Sequence, residues 1–322
     1  MKRRDLAKAL VASALIAVAP TGFAQPGGHA TLRIIVPFAP GGSGDITARM
    51  LGEQITKKTG QAVVVENKPG ANGIIGVETA KHAPSDGSVL MLATTSTHLA
   101  NPSLFRNLPY DPEKDFTLVG HFGSGSTFVL VNKDAPYRTL ADFVAHAKRH
   151  PSKLNYGHFN ASSNIPGAMI NQLAGIELMP IPYKQIGSAM NDLIGGSLDV
   201  IFVDSVAGDS YVSSGQLRAI AAMGASRLPK YPDVPLLTET YPDYNVAGGF
   251  LGIAVPRGVP EATLQALNDL INEIVTTDPM KTQLEKLGFH PKRLSLAELA
   301  GFVTRERANW RSYVDIAKIA PQ

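Results

Sequence analysis

The chain has 322 residues, no cysteine and a formal net charge of +3. That excess is N-terminal: residues 1–24 hold Lys2, Arg3, Arg4 and Lys8 against Asp5, and taking these from the 30 basic and 27 acidic residues leaves 26 of each. A balanced body carries no basic stripe for nucleic acid, and the missing cysteines exclude disulfides and thiol chemistry.

Residues 1–24 read as an export leader. A basic start precedes the apolar stretch 9–20, and Gly22-Phe23-Ala24 supplies a cleavage point, so the mature chain is expected to begin at Gln25. The apolar stretch is too short to span a bilayer and nothing later replaces it, which predicts export to the periplasm rather than anchoring. Arg3-Arg4-Asp5-Leu6 also resembles a twin-arginine signal, so both export routes stay open.

Roughly 300 residues remain, long for one core and suited to two domains. Strands are predicted at 32–37, 62–66, 89–93, 128–132, 154–157, 177–182, 199–203, 218–223 and 250–255. Helices are predicted between them at 46–58, 74–81, 140–149, 167–173, 188–194 and 207–213. This alternation argues an α/β fold of mostly parallel sheets flanked by helices. Pro260 opens a tail helix with Leu264, Leu267, Ile271 and Ile274 on one face. Ser295 and Glu298 form a capping box for a second, flanked by Leu294 and Leu299. Both are expected to pack back across a formed domain. The turn-rich stretches 132–136 and 245–249 read as the two connections between lobes. The expected domains are therefore a signal peptide over 1–24, a discontinuous first lobe of 25–131 plus 250–322, and a second lobe of 132–249.

Familiar catalytic motifs are missing. No Gly-x-Ser-x-Gly elbow, no phosphate loop ending in Gly-Lys-Ser/Thr and no His-Glu-x-x-His occurs. His146 and His150 have metal-like helical spacing but sit among charges, as on a solvated helix face. Asp199 and Asp204 flank a strand, with no partner carboxylate placed beside them by local spacing. No catalytic residue, metal or cofactor is expected.

What remains lies in four polar loops at strand ends. The first strand runs into Pro37-Phe38-Ala39-Pro40 and then Gly41-Gly42-Ser43-Gly44-Asp45. A helix starting there leaves backbone N–H groups unpaired with the helix dipole behind them, which makes an anion cradle, or else an ordinary βα loop. Thr94-Thr95-Ser96-Thr97-His98, Asn160-Ala161-Ser162-Ser163-Asn164 and Pro182-Tyr183-Lys184-Gln185 end later strands. In open α/β sheets ligands bind outside the carboxyl ends of strands, where all four loops fall. Singly, each has a plain reading: a helix cap for Ser162 or Ser163, a surface charge for Lys184, a packed imidazole for His98.

Val36-Pro37-Phe38-Ala39-Pro40-Gly41-Gly42-Ser43-x-Asp45 resembles the opening motif of the Bug family, the periplasmic solute receptors of tripartite tricarboxylate transporters. Val65-Glu66-Asn67-Lys68-Pro69-Gly70-Ala71, Asn101-Pro102-Ser103-Leu104-Phe105, Leu108-Pro109-Tyr110-Asp111-Pro112 and Leu193-Ile194-Gly195-Gly196-Ser197-Leu198-Asp199 continue the series in order. The resemblance implies a two-lobed periplasmic-binding-protein (Venus flytrap) fold that closes over a small organic mono- or dicarboxylate, aromatic acids such as terephthalate included. Delivery to the membrane permease subunits of a tripartite transporter is implied with it. So is the site: Ala39, Gly41, Gly42, Ser43 and Asp45 on one side with Thr94, Thr95 and His98 near them. Ser162, Ser163, Tyr183 and Lys184 come from the other lobe, and Asp204 closes the floor. The family's His after the serine pair is replaced by Asn164, Ile165 and Pro166, and its Gly after Tyr-Lys by Gln185. Those departures point to a ligand with an apolar or aromatic body.

The expected protein is a soluble, monomeric, non-catalytic receptor with a carboxylate ligand and no nucleic-acid partner. Two alternatives stay open: an exported α/β enzyme acting on a carboxylate, which turnover would reveal, and a sensor that presents its closed form to a signalling partner.

Overall fold

The computed structural model describes residues 31–322 apart from 245, 247 and 287, so the expected leader and two residues of the expected second junction lie outside the described residues. Strand β1 (Leu32–Val36) leads into helix α1 (Ser43–Thr59), followed by β2 (Val63–Asn67), α2 (Ile74–Lys81) and β3 (Val89–Thr94). A wide π turn (Thr95–Ala100) and α3 (Asn101–Leu104) then lead to β4 (Phe116–Ser124). β1 pairs in parallel with both β2 and β3, with Ile34 opposite Val65 on one side and Leu90 on the other. Helices cover both faces of this sheet, which is why Ile34, Ile35 and Val36 are all buried instead of alternating in and out.

The second lobe repeats the plan. β5 (Thr127–Asn132), α4 (Leu140–Arg149), β6 (Asn155–His158), α5 (Ala161–Ala174) and β7 (Met179–Pro182) are followed by α6 (Ile186–Gly195), β8 (Val200–Asp204), α7 (Ser205–Ser213) and β9 (Leu217–Met223). After α8 (Leu237–Thr240) the chain returns as β10 (Phe250–Pro256) and closes with α9 (Glu261–Thr276), α10 (Met280–Lys286) and α11 (Leu296–Ile316).

The two sheets have the orders β2-β1-β3-β10-β4 and β7-β6-β8-β5-β9. In each, one strand runs against the rest: β10 is antiparallel to β3 and β4, and β5 to β8 and β9. Both are the strands that arrive from the other lobe. A strand entering at the edge where its neighbours end must run away from that edge, so the reversal follows from the crossing.

The first crossing falls at Gly125 and Ser126, not at 132–136 as expected. β5 is hydrogen-bonded between β8 and β9, so Thr127–Asn132 belongs to the second sheet, and the 132–136 turn lies at the far end of that strand. The two crossings touch through backbone: the Gly125 N–H donates to the Gly249 carbonyl at 2.8 Å. A Cβ on Gly248 would fall 1.4 Å from the Gly125 oxygen, so no side chain fits at that contact.

Other elements differ from expectation, the short helices α3 and α8 and the π turn among them. β4 was not anticipated, because Gly120, His121 and Gly123 interrupt its apolar run. α5 begins at Ala161, ahead of the expected 167, with Pro166 accommodated inside it. The short helix α10 between the two tail helices was also unanticipated. The Ser295–Glu298 capping box is present, and α11 buries Leu299, Phe302, Val303 and Trp310 against β4 and the π turn while also reaching α5 of the second lobe. Among the described residues no helix is long and apolar enough to cross a membrane.

Candidate functional site

The carboxyl ends of β1, β2, β3, β6, β7 and β8 and the starts of β5 and β10 face one cleft. It has an outer chamber of about 650 Å³ and an adjoining inner recess of about 70 Å³ that share Phe38, Ser43, Phe159, Asn160 and Asp204 as walls.

The loop after β1 turns at Gly41, whose φ of +86° lies in the left-handed region that glycine adopts without cost. Gly42 is the extended N-cap of α1, with φ −82° and ψ 169°. The first helical bond runs from the Ile46 N–H to the Gly42 carbonyl, which leaves the N–H groups of Ser43, Gly44 and Asp45 without a protein acceptor among the described residues. The Gly41 N–H is not part of this cradle; it donates to Asp45 Oδ2 at 3.1 Å. Asp45 also lies 2.8 Å from Arg49 Nη2. Burial opposes its ionisation, but Arg49, the Gly41 N–H and Asn67 outweigh that and hold the carboxyl below the usual range. The Asp45 carboxylate is thus taken up in shaping the loop.

After β3, Thr94 caps the π turn by accepting the Thr97 N–H at 3.3 Å. Thr95 Oγ1 accepts the N–H of Phe250 at 2.7 Å and so pins the returning strand. Thr94, Thr95 and Ser96 line the inner recess; His98 does not. Its ring is buried against Phe116, with Nδ1 3.0 Å from Thr97 Oγ1. Burial, with the Arg307 charge nearby, lowers its pKa to about 3 and keeps the imidazole neutral. The packed-imidazole reading of His98 is the one the structure supports, because the π turn directs residue 98 into the core of the lobe.

In the second lobe Asn160 caps α5, and the two serines separate. Ser163 is buried and its hydroxyl is used locally, accepting the Phe159 N–H at 3.0 Å and donating to the Asn160 carbonyl at 3.0 Å. Ser162 faces across the cleft, its Oγ 3.2 Å from Ser96 Oγ of the first lobe. Tyr183 donates its hydroxyl to Asp192 at 2.7 Å; burial, then Asp192, push its pKa up to about 12. Lys184 is exposed, lines the outer chamber and is the one cation among the residues lining either part of the cleft. Ala39 and Gln185 line the same chamber.

Asp204 stands where chamber and recess meet. It caps α7 by accepting the Ala207 N–H at 3.0 Å, and Ser43 of the opposite lobe lines the same two spaces. Burial raises its pKa above the ordinary carboxyl value, although the Ala207 N–H and Ser43 act to lower it.

Ile165 and Pro166 lie in the core, not in the cleft, and Pro166 offers its carbonyl to Tyr244. The apolar walls come instead from Phe38, Phe159 and Ile186. Sequence reasoning also missed Asn72, Asn160 and Ser96 as lining residues, although Asn160 and Ser96 stood inside two of the polar loops. Among the described residues no group of three or more His, Cys, Asp or Glu could hold a metal.

The starts of α1, α5 and α7 converge on the cleft between the two lobes. The profile of the tripartite tricarboxylate transporter family receptor, TctC, matches residues 47–318. This chain belongs to that receptor family. TctC proteins are periplasmic solute receptors of tripartite transporters, not enzymes. BugT of Bordetella pertussis is 29% identical over 308 residues, covering 93% of this chain and 94% of BugT. The solved structure of R. palustris Rpa4515 with adipate has a TM-score of 0.87 and 26% identity, covering 91% of this chain and 98% of that one. MatC from Rhodopseudomonas palustris with bound malate has a TM-score of 0.82 and 30% identity, covering 88% of this chain and 98% of that one.

Proposed function

We propose that this TctC-family receptor captures a small dicarboxylate in the periplasm, after removal of its leader at Ala24, and hands it to the permease subunits of a tripartite transporter. The observation that carries the reading is the division of the cleft. The inner recess gathers the unpaired N–H groups at the start of α1 with the hydroxyls of Ser43, Ser96 and Ser162, which suits one carboxylate. The outer chamber carries Lys184 beyond a wall of Phe38 and Phe159, which suits a second carboxylate on an apolar body. Adipate and malate, the acids seen with two structural neighbours, are both dicarboxylates. Capture works by lobe closure, since the recess draws its donors from both lobes and is complete only when they meet. A thermal-shift screen of the mature chain against straight-chain dicarboxylates, matched monocarboxylates, sugars and amino acids tests the reading. Stabilisation by dicarboxylates above the rest is expected; stabilisation only by uncharged solutes would refute it.

A further inference from the structure

Residues 70–73 form a loop at the mouth of the outer chamber in which every residue has positive φ, including two that are not glycine: Ala71 at 46° and Asn72 at 54°. Asparagine tolerates that region because its short side chain bonds locally. Here Asn72 Nδ2 donates to Asn101 Oδ1 at 2.7 Å, and Asn101 Nδ2 donates back to the Asn72 carbonyl at 3.2 Å. Asn101 is itself fully buried and held by Tyr110 at 2.9 Å. The first lobe therefore presets the Asn72 amide in one orientation. Its remaining atom, Oδ1, accepts the N–H of Ala161 at 3.0 Å, and Ala161 is the first residue of α5 in the second lobe. The helix's own cap does not reach this donor, because Asn160 Oδ1 is taken by the Ser163 N–H at 3.0 Å. One orphan donor of α5 is thus satisfied from across the cleft, and separating the lobes would return it to water.

We infer that Asn72 is an interlobe latch: a positioning residue whose preset side-chain carbonyl completes the α5 N-terminus only when the lobes are together. It favours the closed form and lengthens the stay of a captured ligand; that last clause rests on the receptor reading above. The hydroxyl contact between Ser96 and Ser162, also across the cleft, joins two freely rotating groups that a ligand would compete for. Asn72 keeps its contact with a ligand in place.

The absence of cysteine allows a clean test. Ser96→Cys with Ser162→Cys puts two thiols where oxygens lie 3.2 Å apart, close enough for a disulfide when the lobes meet. The rate of cross-linking under a fixed concentration of copper–phenanthroline, without ligand, reads how often they do. Asn72→Gly keeps the left-handed turn and removes the side chain; Asn72→Asp keeps the acceptor. Asn72→Gly should slow cross-linking about three- to tenfold, the worth of one lost hydrogen bond, and Asn72→Asp, which keeps the acceptor but loses the donor to Asn101, should recover only part of that rate. The melting temperatures of the reduced proteins should stay close, which separates a lost latch from a damaged fold. Equal cross-linking rates with and without the Asn72 side chain would overturn the latch. Because this readout needs no acid, failure of every dicarboxylate to bind would remove the receptor reading and leave the latch still tested.

Discussion

Ser43 and Asp204 face each other across the cleft, both lining its chamber and its recess: the residue that opens α1 in the first lobe stands by the carboxyl that caps α7 in the second, and favours its ionised form. A half-buried carboxyl beside a cradle built for anions has a consequence for pH. Protonated, Asp204 can donate to a ligand carboxylate; ionised, it repels one. Its raised pKa means that the proton is gained at a higher pH than an ordinary Asp would gain it. Affinity for a dicarboxylate should therefore rise as pH falls toward the range where the ligand itself begins to protonate. Asp204→Asn, which still caps a helix, should flatten that profile. Calorimetry at several pH values, with an equally steep profile in the variant, would remove Asp204 from the account.

Stability without ligand should show the opposite pH trend below neutrality. His98 and His121 are buried, with pKa values lowered to about 3 and about 4 from 6.5, by burial first and then by Arg307 and Lys292 respectively. The unfolded chain takes up these protons below about pH 6.5 while the folded chain resists, so the stability present above that pH is lost as pH falls. For His121, whose ring packs against Phe250 and Phe302, the loss should be on the order of 3 kcal/mol by pH 4. His121→Phe should make the melting temperature less dependent on pH between about 6.5 and 4. An unchanged slope would contradict a neutral buried imidazole.

The two neighbouring serines should separate in their effects. Ser162→Ala removes a hydroxyl facing the recess and should weaken binding by about one to two orders of magnitude, as for a charge-assisted hydrogen bond of roughly 1.5–3 kcal/mol. Ser163→Ala opens the cap of α5 and should cost about 1 kcal/mol of stability, with a smaller effect on binding. Denaturant unfolding and calorimetry on both variants would show the assignment to be wrong if their roles were exchanged.

The adjacent glycines also divide. Gly41 needs its positive φ, so Gly41→Ala should strain the loop by about 1–2 kcal/mol although its Cβ would meet nothing. Gly42→Ala has an ordinary backbone and open space, but the new methyl enters the chamber wall. It should leave stability nearly unchanged while weakening binding. Equal melting temperatures for both variants would contradict the split.

Much of the fold was legible because its strands are short apolar runs punctuated by Gly and Pro, and helix starts such as Ser295 with Glu298 carry their caps in local sequence. β4 was not legible: Gly120, His121 and Gly123 break its pattern, and only pairing with β10 makes it a strand. The first crossing was misplaced for a related reason. The conspicuous turn residues 132–136 mark a strand end, whereas Gly125 and Ser126 look unremarkable until the return at Gly248 and Gly249 lies against them. Polar loops announced the site, but not which side chains the local structure would consume. Ser163, Gly41 and His98 were drawn into caps, turns and core by contacts a few residues away. Asn72 joins the site only through a partner 89 positions distant.

Titration calorimetry of the mature chain with a straight-chain dicarboxylate, its matched monocarboxylate and the Lys184→Met variant tests the central claim most directly. The account predicts saturable one-to-one binding of the dicarboxylate. It also predicts binding at least about tenfold weaker for the monocarboxylate, and loss of that preference when Lys184 is gone. No heat with any small carboxylate, or a preference that survives loss of Lys184 unchanged, would contradict it.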